Sequence, residues 1–213
     1  SLIMFYVFPR VVKPDACEQI VKDCKQDNYR QINHYEYNIS YKPNILEDAS
    51  IVNSSNKKSN DPQVRKTSIN FVKGKDNKIS ELAWHYLREA NKIQFNYDLE
   101  YFQTVQFAEY KNGGFYDWHQ DDIGISKSNE IRKLSLSLAL SNPDAFEGGE
   151  LQFYNGGRPA EDMGEISCKQ VINDIKDQGT IVVFDSRDWH RVTPVTNGVR
   201  HSLVCWTLGP NFK

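Results

Sequence analysis

The sequence has no surplus of positive charge. Lys and Arg number 26 against 28 Asp and Glu, a formal charge of −2. That balance argues against electrostatically driven nucleic-acid binding, which needs excess cations to displace counterions. Long apolar runs are also missing. Leu2 to Phe8 falls far short of the roughly 20 residues of a spanning helix. It carries neither a basic leader nor a small-residue cleavage site, so the expectation is a first β-strand, with no signal peptide and no membrane anchor. Cysteine is scarce. Cys17, Cys24, Cys168 and Cys205 form no CxxC pair and no zinc-type grouping with histidine. Cys17 and Cys24 lie in one expected helix, two turns or roughly 10 Å apart, too far for a disulfide. Buried thiols in a reducing, cytoplasmic compartment are expected. Apolar residues are lean at 39%, yet aromatics reach 12%, enough to build a core and to exclude global disorder.

What is present divides into two stretches. Pro14 suits the first turn of a helix running to about Asn28, with Ala16, Cys17, Ile20, Val21 and Cys24 at helical spacing. Residues Asn53 to Pro62 contain no apolar side chain and read as a loop or a substrate lid. A second helix begins after Asp76-Asn77, with Ile79, Leu82, Ala83, Tyr86, Leu87, Ala90 and Ile93 in one stripe. From about Tyr101 the pattern becomes strands. Lys133 to Ser141 alternates strictly, with Leu134, Leu136, Leu138 and Leu140 on one face and Ser135, Ser137, Ala139 and Ser141 on the other. Gly179 to Phe184 is a short buried run, and Thr196-Asn197-Gly198 reads as a hairpin turn between two strands. The expected fold is mainly β with flanking helices packed on one sheet of a sandwich or open barrel. Residues 1–213 are expected to form one domain, 1–100 as support and 101–213 as the β-core.

The chemistry concentrates in Tyr116-Asp117-Trp118-His119-Gln120-Asp121. In a strand, residues two apart share a face, so His119 and Asp121 can offer an imidazole and a carboxylate to one point. His190 is a second candidate imidazole. Two histidines and one carboxylate make the facial triad of non-haem Fe(II) oxygenases, which leaves coordination positions open. His34 and His201 lack comparable context and are expected to be surface or structural. Arg200 lies ten residues past His190. A three-residue hairpin at Thr196-Asn197-Gly198 would pair Pro194 with Arg200 and set Arg200 on the His190 face, in line with Ser202 and Trp206. A guanidinium beside a hydroxyl is a suitable carboxylate clamp.

His119-x-Asp121, His190 and Arg200, with Gly148-Gly149-Glu150-Leu151 between them, resemble the 2-oxoglutarate/Fe(II)-dependent dioxygenases of the prolyl 4-hydroxylase type. Residues Trp189 to Arg200 and Leu138 to Leu151 are especially similar to the PKHD-type hydroxylases. The resemblance covers about Phe102 to Gly209. It implies a double-stranded β-helix, or jelly roll, with His119, Asp121 and His190 binding Fe(II). It implies Arg200 holding the distal carboxylate of 2-oxoglutarate and Tyr110 contacting the cosubstrate. Ser202 and Trp206, on the expected Arg200 face, are expected to complete that pocket. Tyr116, Trp118 and Arg191 are expected near the substrate. Relatives often carry a large aromatic where this chain has Ala139, which leaves room or hands polar contacts to Ser135 and Ser137.

The implied reaction is hydroxylation of a C–H bond with Fe(II), 2-oxoglutarate and O2, ascorbate being a further possible cofactor. Peptidyl proline or another protein side chain is the expected substrate. A free amino acid or small metabolite is the alternative, and a non-catalytic jelly-roll binding module is the third reading. No nucleic-acid or membrane partner is expected, and the oligomeric state is left open.

Overall fold

The computed structural model describes residues 5–26, 30–34, 37–41, 47–48, 51–52, 58–59, 64–72, 77–122, 129–154, 169–171 and 173–213; within 30–59 and 169–174 the backbone alone is described. The polar stretch Asn53 to Pro62, apart from the Lys58–Ser59 backbone, lies outside them, as do Cys168 and the His34 side chain.

Helix α1 is Pro14–Lys25, with Pro14 in its first turn as the spacing predicts. Its stripe, Ala16, Cys17, Ile20 and Cys24, is buried. Helix α2 is Lys78–Ala90, and the Asn77 side chain caps it by accepting from the Ser80 amide at 2.8 Å. Ile93 departs from the expected stripe. The chain widens to a π-turn over Asn91–Phe95, rotating Ile93 out to 54% exposure, while Phe95 takes up the buried face. No helix among the described residues is long and apolar enough to cross a membrane.

The principal strands are β1 (Phe5–Phe8), β2 (Ser68–Phe71), β3 (Gln106–Lys111), β4 (Phe115–His119), β5 (Glu130–Ala139), β6 (Leu151–Tyr154), β7 (Lys169–Val171), β8 (Ile181–Asp185), β9 (Trp189–Val192) and β10 (Val195–Pro210). The major sheet runs β1-β8-β5-β10-β3-β2, and the minor sheet runs β7-β6-β9-β4 with Arg65–Lys66 on its edge. From β3 onward the chain crosses between the sheets at almost every connection, which is jelly-roll topology. Period-two alternation then sorts the residues of β5. Leu134, Leu136, Leu138 and Leu140 join both helix stripes in one cluster, and Ser135, Ser137 and Ala139 take the opposite face. Each fully buried leucine there contributes about 1.5–3 kcal/mol of burial.

The expected β9–β10 hairpin does not form. β9 pairs with β4 and β6 in the minor sheet, while β10 pairs with β3 and β5 in the major one. Thr196-Asn197-Gly198 is part of β10, and Phe146–Gly148 lies alongside it, with Phe146 opposite Gly198. Gly198 does hold a left-handed backbone, φ +72°, but for a packing reason. A Cβ there would sit 2.1 Å from the Ala145 carbonyl oxygen. Turn-type residues also suit close strand crossings, so the local pattern alone does not separate the two.

Candidate metal centre and active site

The two sheets face each other, and their inner faces build the site. His119 and His190 are cross-strand partners on β4 and β9. Tyr116 and His119 are three apart and would ordinarily face opposite sides of a strand. A register shift between them brings both rings to the cavity, stacked with centroids 3.5 Å apart and planes 10° from parallel. Asp121 lies beyond the end of β4. Its amide donates to the Ser186 carbonyl at 2.9 Å, which ties it to the loop leading into β9.

His119, Asp121 and His190 each offer one ligand atom, all within 4.8 Å of one another. Asp121 Oδ1 is 3.4 Å from His119 Nε2, and Oδ2 is 3.4 Å from His190 Nε2. Both imidazoles are oriented in the same way. His119 Nδ1 contacts the Asp117 carbonyl at 2.7 Å, and His190 Nδ1 contacts the Asp188 carbonyl at 2.9 Å. A proton on each Nδ1 leaves each Nε2 lone pair aimed at the common point, as a metal ligand requires. The repeated tripeptides Asp117-Trp118-His119 and Asp188-Trp189-His190 carry this geometry. They are a sequence signal that composition and spacing arguments passed over.

The electrostatics suit a cation. Burial pulls the Asp121 carboxyl upward, but the neighbouring His190 and His119 outweigh it and hold it well below the usual carboxylate range. Burial, then the nearby His190, pushes His119 down to about 4, so it is neutral. His190 is also lowered by burial, but Asp121 more than offsets this and raises it overall. Ser135 Oγ donates to Asp121 Oδ2 at 2.7 Å and contacts Ser186 Oγ at 2.9 Å. Arg132 Nη1 donates to the Asp121 backbone carbonyl at 3.2 Å, and its guanidinium lies 4.0 Å over the Trp206 ring. A mainly nitrogen- and carboxylate-lined trio with satisfied outer partners fits a divalent first-row metal.

Arg200, Tyr110, Ser202 and Trp206 line the same cavity as the trio. Arg200 arrives from the major sheet, opposite Tyr110 on β3, with its guanidinium 5.3 Å from the Tyr110 ring centroid. It is 8% exposed, and among the described residues no carboxylate pairs with it. Burial lowers its pKa. Gly149, φ +61°, lets Arg200 pass, since a Cβ there would meet Arg200 Cδ at 2.9 Å. A second hollow of about 30 Å³ adjoins Arg200 and is lined by Ser137, Ala139, Ser141 and Gly149, the room left by the small residue at 139. Tyr116 lines the main cavity, and burial pushes its phenol up to about 12, so it is neutral. Trp118 and Arg191 are not brought to the cavity. They meet each other, with the guanidinium 4.7 Å from the indole centroid, and Arg191 Nε donates to Gln152 Oε1 at 2.8 Å. Arg65, which the sequence did not single out, does line the cavity.

Residues 105–208 match the model of the 2OG-Fe(II) oxygenase superfamily. The matched stretch, just under half of the chain, is similar to that superfamily. The name of the superfamily states its metal, Fe(II), and its cosubstrate, 2-oxoglutarate, and its oxidant is O2. A PKHD-type hydroxylase of Teredinibacter turnerae is 33% identical over 104 residues, 47% of this chain and 41% of that protein. One of Idiomarina loihiensis is 33% identical over 114 residues, 51% of this chain and 45% of that protein. The matches thus span less than half the length of these relatives. Among solved structures, a Pseudomonas putida prolyl-4-hydroxylase aligns with TM-score 0.62 at 20% identity, covering 95% of this chain and 91% of that one. A Trichoplax adhaerens prolyl hydroxylase, solved with a hypoxia inducible factor peptide fragment, aligns with TM-score 0.59 at 17% identity, covering 95% and 82%. At these identities the likeness establishes the jelly-roll fold.

Proposed function

We propose that the chain forms one domain that hydroxylates a C–H bond, with Fe(II) held by His119, Asp121 and His190 and 2-oxoglutarate held by Arg200. The observation that carries this reading is the pairing, in one cavity, of a converging His-Asp-His trio with a buried, uncompensated guanidinium. When bound, Fe(II) with 2-oxoglutarate and O2 supplies oxidation of C–H to C–OH, with release of succinate and CO2. The chain's own residues orient and shield. The Asp117 and Asp188 carbonyls fix the imidazole rings, and Ser135 fixes the Asp121 carboxylate. Arg200 receives the distal carboxylate as a two-pronged donor, with Ser202 beside it and Tyr110 packed against the guanidinium. Tyr116 and Trp206 are the aromatic walls that exclude water.

Peptidyl proline or another protein side chain is the substrate class we favour, on the relatives' names and the peptide-bound neighbour. A free amino acid or small metabolite is the alternative. Ascorbate would serve as a reductant that restores Fe(II). Incubating the iron-loaded protein with 2-oxoglutarate, O2 and a panel of prolyl peptides and amino acids should yield succinate in proportion to added Fe(II). Absence of succinate across that panel would favour a non-catalytic binding module.

A further inference from the structure

The cavity holds a second cation whose charge nothing described balances. Arg65 lies opposite Tyr116 on the strand Arg65–Lys66 at the edge of the minor sheet. Its guanidinium carbon is 4.3 Å from the Tyr116 ring centroid, and that ring stacks on His119. Guanidinium, phenol and imidazole therefore form a stack that ends on a ligand of the trio. Arg65 lines the cavity, and its Nε is buried with no hydrogen-bond partner. Among the described residues no carboxylate forms an ion pair with it. Its neighbour Lys66 is engaged elsewhere, donating to the Asn112 carbonyl. The Tyr116 phenol is neutral and offers only its ring face.

The charges decide what this cation is for. In the proposed complex, Fe(II), the Asp121 carboxylate, the Arg200 guanidinium and a dianionic cosubstrate sum to zero. Arg132 behind the trio has its donors on Gln103 Oε1 and the Asp121 carbonyl, whereas half-buried Arg65 is left over as a positive charge at the cavity wall. A buried donor without an acceptor is unfavourable unless a ligand satisfies it. A fork of N–H groups over an aromatic ring can offer its edge to a planar, two-oxygen anion.

We propose that the substrate carries a carboxylate close to the carbon that is oxidised, and that Arg65 binds it. This rests on the function proposed above and narrows its substrate to acids. The carboxylate can belong to an acidic side chain of a peptide or to a free amino acid.

Binding by calorimetry, with Mn(II) in place of Fe(II) and saturating 2-oxoglutarate, tests the idea. The probes are the blocked peptides Ala-Ala-Pro-Glu-Ala and Ala-Ala-Pro-Gln-Ala, and L-proline against L-prolinamide. At least one acid should bind wild type about tenfold or more tighter than its amide, as a charge-assisted pair gives. The acid that does so identifies the source of the carboxylate. The preference should fall to near onefold in Arg65→Gln and survive in part in Arg65→Lys. Equal binding of acid and amide in both pairs, no binding of either acid, or a preference undiminished in Arg65→Gln would overturn the proposal. Failure of the underlying function looks different, because wild type would then show no metal-dependent binding of 2-oxoglutarate.

Discussion

Two neighbouring cross-strand pairs on β3 and β10 treat charge in opposite ways. Glu109 faces His201, and Tyr110 faces Arg200. Glu109 and His201 point to the helix side of the major sheet. There the Glu109 side chain, 3% exposed, is met by His201 Nε2 at 2.8 Å, Lys25 Nζ at 3.1 Å and Lys111 Nζ at 3.2 Å. Lys25 comes from the last turn of α1, so this carboxylate ties the helix to the sheet. One residue along, Arg200 points the other way and has no counter-ion among the described residues. A buried charge that serves the fold is compensated by the fold itself. A buried charge left unpaired has its desolvation cost carried by the rest of the structure, and in the proposed function the cosubstrate compensates it.

The sharpest break of this contrast concerns the trio beside Arg200. His119→Ala should lower metal affinity by more than about 100-fold, exceeding the loss usual for outer partners, and should abolish succinate formation. Metal content after dialysis reports the first effect. Arg200→Met should weaken 2-oxoglutarate binding by about 10- to 150-fold, read by calorimetry with the metal in place. It should also leave the unliganded protein more stable by about 1–2 kcal/mol in urea unfolding, because an unpaired buried charge is removed. Glu109→Gln should do the reverse, costing about 2 kcal/mol of stability while 2-oxoglutarate affinity is retained. If Arg200→Met destabilised as Glu109→Gln does, the contrast between the two pairs would be lost. Ser135→Ala should cost about tenfold in metal affinity through the freed Asp121 carboxylate, measured by competition with a chelator.

The smallest effect is a pH slope. Burial pushes Glu109 up, but the hydrogen bonds from His201, Lys25 and Lys111 prevail and hold it at about 2 against an ordinary 4.5. A depressed carboxyl contributes stability above its ordinary pKa and loses it as pH falls from 4.5 toward 2. Glu109→Gln should therefore flatten the melting temperature over that window relative to wild type.

Much of this was legible from residue order. The α1 and α2 stripes and the Leu and Ser/Ala faces of β5 follow from spacing, because helices and strands have fixed periods. His119, Asp121, His190 and Arg200 stand out by residue chemistry, while the hairpin expected to align Arg200 with His190 does not form and Asp121 lies past the end of β4. The π-turn that expels Ile93 and the bulge that turns Tyr116 and His119 to one side were not legible, since both break those periods. Arg65 was missed because its meaning depends on a partner on β4, 51 positions from Arg65 to Tyr116 in sequence.

Sequence by itself determined which groups are candidates for the site and set both histidines in the same Asp-Trp-His context. The structure shows each reaching the carbonyl two residues before it. Tertiary structure alone decided how they meet. Arg200 shares a cavity with His190 because β9 and β10 lie in facing sheets, not because they form a hairpin. Period-two alternation specifies only the two sides of a strand. Which side becomes the interior depends on which sheet the strand joins, and that is set by burying the Leu face of β5 beneath two helices.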